Sequence, residues 1–289
     1  DGVESELAGG RPGRSNARMD NPAPIGVFDS GFGGLSVLRA VRARQPAENL
    51  IYCADHAWLP WGERDVSCVR ERARVLTTEL MGVGAKAVVV ACNTATAAAA
   101  DWLRAESGLP VIAMEPAVKP AAAATRGGII GVLGTGGTLA SARFSALLER
   151  YGAGLEVITR PAPELVAAVE SGDSAHRRQL VTDAVLPLIE RGADVIVLGC
   201  THFPFLRPEI EAIVGPEVAV IDTGSAVARE LQRRVISGGL AAPSRNAGTE
   251  RVWTTGDPQA LRSTLHRLWG GGELERMPIP ATASRPRQS

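Results

Sequence analysis

The sequence predicts an α/β protein of two pseudo-symmetric domains, each a mostly parallel sheet flanked by helices, with an active site in the interdomain cleft. Three observations carry this expectation. Short β-branched runs alternate with longer amphipathic stretches, the pattern of parallel strands joined by crossover helices. The segment "PIGVFDSGFGGLSVLRAV" returns in altered form as "IIGVLGTGGTLASARFSAL", with Gly26 opposite Gly131 and Ser30 opposite Thr135, an offset of 105 residues. Two apolar runs, "VVVACNTAT" and "VIVLGCTHFPF", end on Cys92 and Cys200, an offset of 108 residues. The similar offsets imply two related halves, each with a glycine-rich turn after its first strand and a cysteine after a later one.

In chain order, strands are expected at 25–29, 49–53, 86–91, 110–113, 128–133, 155–159, 194–199, 218–222 and 251–255, each a short run rich in Val and Ile. Amphipathic helices fit between most of them. In "DVSCVRERARVLTTEL", for example, Val66, Val69, Ala73, Leu76 and Leu80 share one face. Residues 24–116 together with 225–272 are assigned to a first α/β domain and 117–224 to a second, while 1–23 and 273–289 read as disordered tails without periodic apolar residues. In open α/β sheets ligands sit beyond the carboxyl ends of strands. All four turns therefore belong at such ends, where the two halves would enclose one pocket between two thiols.

Composition narrows the function. The 289 residues are 45% hydrophobic and 21% charged, as in an ordinary globular protein. Lys plus Arg equals Asp plus Glu, 31 each, so no global field invites a nucleic acid or an anionic membrane. No apolar run approaches the ~18 residues that span a bilayer, and a cytoplasmic location is expected. The four cysteines, Cys53, Cys68, Cys92 and Cys200, are too scattered for a disulfide framework, and none is spaced from another like a zinc ligand pair. No metal site is expected.

A cysteine between a strand and a helix lies near that helix's N-terminus, where free N–H groups favour the thiolate. Asn93 and Thr94 follow Cys92, and Thr201 and His202 follow Cys200, offering polar contacts to a small charged ligand. One thiol on each side of a pseudo-twofold site suits a racemase, which removes a proton from one face of a carbon and returns one to the other. A redox pair of cysteines and a hydrolase with a single cysteine nucleophile stay open at this point. Cys53 and Cys68 read as inert, and His56, His176 and His266 as structural. "GFGG" and "GTGGT" lack the full dinucleotide fingerprint, which argues against a nicotinamide oxidoreductase.

"GVFDSGFGGLSVLRAV", "ACNTAT" and "GCTHFP" resemble, in order, the three signature segments of the cofactor-independent glutamate racemases, within the wider aspartate/glutamate racemase superfamily. The resemblance spans roughly residues 24 to 270. It implies interconversion of L- and D-glutamate without metal or other cofactor, supplying D-glutamate to peptidoglycan synthesis, by an enzyme whose family commonly forms homodimers. A racemase of the same superfamily with another or broader specificity is the alternative. Carried over by motif, Cys92 and Cys200 would be the acid/base pair, with Asp29 serving Cys92, His202 serving Cys200 and Glu170 supporting His202. The family usually has a cysteine before the proline where this chain has Arg160. Substrate contacts would come from Asp29, Ser30, Asn93, Thr94, Thr135, Thr138, Thr201 and His202. They would also come from Trp61 and Gly62, in a loop where the family reads Pro-Tyr-Gly and this chain Pro60-Trp61-Gly62.

Overall fold

The computed structural model describes residues 21–173, 175–243 and 247–278. Ten strands follow one another as β1 (Ile25–Asp29), β2 (Leu50–Ala54), β3 (Ala87–Val90), β4 (Val111–Ala113), β5 (Ile129–Gly134), β6 (Glu156–Pro161), β7 (Val195–Leu198), β8 (Ala219–Ile221), β9 (Glu250–Thr254) and β10 (Leu274–Arg276). Nine of them lie within two residues of the expected positions. Such agreement has a physical basis: strands buried on both faces need uninterrupted apolar runs, and β1, β2 and β3 are buried at every position.

The strands form two sheets, ordered β10-β9-β2-β1-β3-β4 and β6-β5-β7-β8, and every pairing is parallel. The segment β2-β1-β3-β4 has the same order as β6-β5-β7-β8, so the internal repeat of the sequence is a repeat of topology. Gly26 pairs across to Val88 and Gly131 to Ile196, equivalent steps on the two sheets. Both glycines solve one packing problem. A Cβ on Gly26 would come within 2.7 Å of Leu80, and one on Gly131 within 2.8 Å of Leu188, each leucine lying on the helix before the third strand of its half.

Two expectations about the tails are corrected within the described residues. Leu274–Arg276 extend the first sheet as β10, pairing with Val252–Thr254, because Leu274 is buried in the core. At the other end Asn21 is tied to the body, its N–H donating to the Ala241 carbonyl at 3.2 Å and its own carbonyl accepting from Lys86 Nζ at 2.7 Å. Residues 1–20 and 279–289 lie outside the description.

The helix Val66–Gly82 buries Val69, Ala73, Leu76 and Leu80 as its periodicity predicts, but Val66 at its start is exposed. It also buries Arg72. That guanidinium grips Asp55 through Nε and Nη2, both at 2.9 Å, and lies 4.8 Å from the Trp58 ring centroid. A planar fork matched to a carboxylate is the arrangement in which an arginine tolerates burial. The pair fixes the loop after β2, which carries His56 and Trp61.

Candidate active site

In both sheets the order reverses at the first strand, so β1 and β3, and likewise β5 and β7, flank a topological switch point. The chain leaves β1 at Asp29 and β3 at Cys92; it leaves β5 at Thr135 and β7 at Cys200. These four ends border one cavity of about 150 Å³. All the candidate residues except Asp29 and Glu170 line it, and those two lie directly behind the lining.

On the side of the first sheet, Cys92 caps the helix Asn93–Glu106, its sulfur accepting from the Ala95 N–H at 3.5 Å. The expected depression of its pKa does not follow. Burial pushes the Cys92 thiol well up, and the neighbouring Asp29 carboxyl pushes it further, outweighing the Ala95 N–H. Asp29 is fully buried beneath it. Oδ1 accepts from the Ser30 N–H at 2.6 Å, and Oδ2 from the Gly34 N–H at 2.6 Å and the Thr201 hydroxyl at 2.9 Å. Burial nevertheless raises the Asp29 pKa, against the pull of His202 and these donors. A thiol and a carboxyl, both with their pKa raised by burial, thus share the Cys92 side.

The Cys200 side is built differently. No α-helix starts at this cysteine; a short 3-10 turn, Phe203–Leu206, follows instead, so no helix dipole faces the sulfur. An imidazole takes that place. His202 Nδ1 lies 3.7 Å from Cys200 Sγ and Nε2 lies 2.8 Å from Glu170 Oε1. Burial alone would discharge this ring, but its contacts with Cys200 and Glu170 hold its pKa well above the usual histidine value. Glu170 comes from the helix Pro163–Ser171, and its Oε1 also accepts the Phe32 N–H at 2.6 Å. Burial works against its charge, but hydrogen bonds from His202 and His56 hold its carboxyl far below the ordinary range.

Between the thiols a few polar side chains punctuate a largely apolar wall. The hydroxyls of Thr94, Thr135 and Thr138 form a triangle with edges of 3.0, 3.0 and 3.3 Å, joining the two sheets across the cavity. Asn93 is buried with neither its amide nitrogen nor its carbonyl oxygen paired. Buried polar atoms without partners are costly, and at a cavity wall they mark where a ligand completes the hydrogen bonding. Trp61 closes another part of the wall at 1% exposure, its ring 6.4 Å from Phe28. A Cβ on Gly62 would lie 2.8 Å from Thr135, so this loop approaches the facing half closely.

Several participants carried no signal in the sequence. Pro161, Pro163 and Val166 line the cavity from β6 and the helix after it. His56, alone in its stretch, reaches Glu170 with Nε2 at 3.3 Å from Oε2. Only the fold brings residues 114 apart in sequence together. Cys53 is fully buried and burial pushes its thiol far up, as befits an inert residue. Among the described residues no cluster of His, Cys, Asp or Glu is suited to a metal ion.

Residues 34–231 match the model of the Asp/Glu/hydantoin racemase family. The chain belongs to this family. A glutamate racemase of Pseudomonas aeruginosa is 51% identical over 254 residues, covering 87% of this chain and 96% of that protein. Among solved structures, a glutamate racemase isoform of Bacillus anthracis superposes with a TM-score of 0.79 at 32% identity, over 91% of this chain and 99% of its own. The Escherichia coli glutamate racemase, solved with L-glutamate and the activator UDP-MurNAc-Ala, gives a TM-score of 0.80 at 29% identity, over 90% and 100% of the two chains. This racemase fold is thus shared along nearly the whole chain.

Proposed function

We propose that this chain interconverts L- and D-glutamate by proton transfer between Cys92 and Cys200, and so supplies D-glutamate to peptidoglycan synthesis. The observation that carries the reading is the placement of two thiols on opposite halves of one cavity, each backed by its own proton-handling group. The 51% identity to a glutamate racemase supports the substrate.

In one direction the Cys200 sulfur, its negative charge stabilised by the His202 imidazolium, removes the proton from Cα. The electron pair left on that carbon is delocalised into the adjacent carboxylate. Donors such as Asn93, whose side-chain amide is otherwise unpaired, and Thr94 stabilise the charge that develops there. The Cys92 thiol, held protonated by burial and by Asp29, then gives its proton to the opposite face of the carbon. One thiolate has become a thiol and one thiol a thiolate, with no net consumption of protons. The other enantiomer runs the same steps with the roles exchanged. Asp29 and His202 reset the two sulfurs between turnovers.

The domain division at 24–116 plus 225–272 and 117–224 belongs to this reading and is supported by the partition of nine strands between the two sheets, β10 carrying the first domain on past residue 272. Among the described residues no helix is long and apolar enough to cross a membrane. We place the enzyme in the cytoplasm, where a reducing medium preserves two catalytic thiols. A homodimer is expected from the family, and sedimentation velocity measures it.

The deciding experiment follows racemisation of each enantiomer by circular dichroism in D2O, with deuterium at Cα counted by mass spectrometry. The parent should incorporate solvent deuterium. Cys92→Ser and Cys200→Ser should each lose about 10²- to 10⁴-fold in turnover, the usual worth of a positioned acid or base. Parental turnover in either variant would sink the two-thiol reading.

A further inference from the structure

We propose that His56 is a positioning residue for the reaction, a second imidazole that holds Glu170 and through it fixes His202 against Cys200. The inference rests on the two-thiol reading above. Glu170 stands between two histidine rings: Oε1 takes His202 Nε2 at 2.8 Å and Oε2 takes His56 Nε2 at 3.3 Å. The His56 side chain is 6% exposed and its ring meets Phe32 edge-on at 4.3 Å between centroids. Phe32 in turn gives its N–H to Glu170 at 2.6 Å, so ring and backbone grip one carboxylate from two sides.

On the Glu170 side the hydrogen-bond direction is determined. An ionised Glu170 can only accept, so His56 Nε2 carries a proton. On the far side His56 Nδ1 lies 3.0 Å from Thr254 Oγ1, and that oxygen already accepts the Gly256 N–H at 3.0 Å. The threonine hydroxyl keeps a proton to give and a second lone pair to accept with, so it bonds Nδ1 whether or not that nitrogen carries a proton. A continuous hydrogen-bonded network links Gly256, Thr254 and His56 to Glu170 from one side and the Cys200 sulfur and His202 to it from the other, both rings donating to the carboxylate. The remote end of this network fixes the ring plane of His56, as outer partners do for histidines at metal centres. Among the described residues no imidazole pair backs Cys92, which meets its carboxyl partner directly.

The test uses the full-length protein, both glutamate enantiomers and their Cα-deuterated forms. His56→Leu removes the donor, and His56→Gln keeps an N–H near the Nε2 position. Turnover of His56→Leu should fall about tenfold or more, the usual effect of losing a hydrogen bond to a charged group, with His56→Gln recovering most of it. The Cα-deuterium isotope effect should rise for one enantiomer only. When Cys200 is the base it receives the labelled proton, whereas when it is the acid it hands over one that came from solvent. Should His56→Leu fail to fold, Thr254→Val gives a smaller loss with the same one-sided isotope signature. Turnover and isotope effects like the parent's, or equal losses for both enantiomers with unchanged isotope effects, overturn the proposal. Cys200→Ser run alongside separates the two failures: an active Cys200→Ser removes the two-thiol reading itself, whereas an inactive one with an indifferent His56→Leu removes only the role of His56.

Discussion

The two sulfurs of the cavity sit in opposite electrostatic settings. Cys92 faces a carboxyl in a buried site and is held as a thiol, whereas Cys200 faces an imidazolium. Iodoacetamide at neutral pH should therefore modify Cys200 faster than Cys92, with Cys53 untouched in the folded protein. Peptide mapping over a time course measures the order, and glutamate should slow both reactions. Glu170 also leaves a mark on stability. Its folded pKa lies below the unfolded value of about 4.3, so its stabilisation is complete above that pH and is lost as pH falls toward the folded value. The parent's Tm should thus drop more steeply below about pH 4.3 than that of Glu170→Gln, which scanning calorimetry in matched buffers records. Cys92, Cys200 and their polar neighbours were legible in the sequence because each follows directly on an apolar strand. His56 was not, since its partners Glu170 and Thr254 lie in other parts of the chain and a lone histidine carries no spacing to read. The protonation of Cys92 was misjudged for a related reason: a helix N-terminus is visible in sequence, while the depth of burial that pushes the thiol up is not.

The strands and helices tolerate change unequally. Gly26→Ala and Gly131→Ala press a methyl against Leu80 and Leu188 on equivalent helices. Overpacking of this kind costs about 1–3 kcal/mol. Chemical denaturation should show similar losses for the two variants, and the folded fraction should keep near-parental turnover. Gly33→Ala acts differently, because its Cβ would collide with the His202 ring. There turnover should fall more than stability. Removing the Arg72 guanidinium leaves the Asp55 carboxylate buried without its fork, a defect of about 3–5 kcal/mol. Arg72→Ala should lower Tm by roughly 10 °C and loosen the loop that carries Trp61 and His56. Element positions were readable because apolar runs and helical spacing are local properties. β10 escaped notice because three residues with one buried leucine make too short a run, and only the open edge of β9 turns them into a strand.

At the scale of the molecule, the cavity is walled by both sheets, so a ligand joins the two halves. Glutamate at about one hundred times its dissociation constant should add roughly 2.7 kcal/mol of stability. Differential scanning fluorimetry on Cys92→Ser detects it without turnover, and an unchanged Tm would mean that the cavity is not where glutamate binds. The duplicated topology was legible from two offsets, and the strand that became β9 was assigned with residues 225–272 to the first half, but β10 was not legible, because its three residues leave no periodicity. The pairing of β2 with β9 bears on how the protein is made. β5 to β8 lie within residues 129–221 and can pair among themselves as soon as that stretch leaves the ribosome. β2 must wait: its edge partner begins at Glu250, opposite Leu50. The half synthesised first is the half completed last, and until the C-terminal segment emerges, β2 presents an unpaired edge to every neighbouring nascent chain.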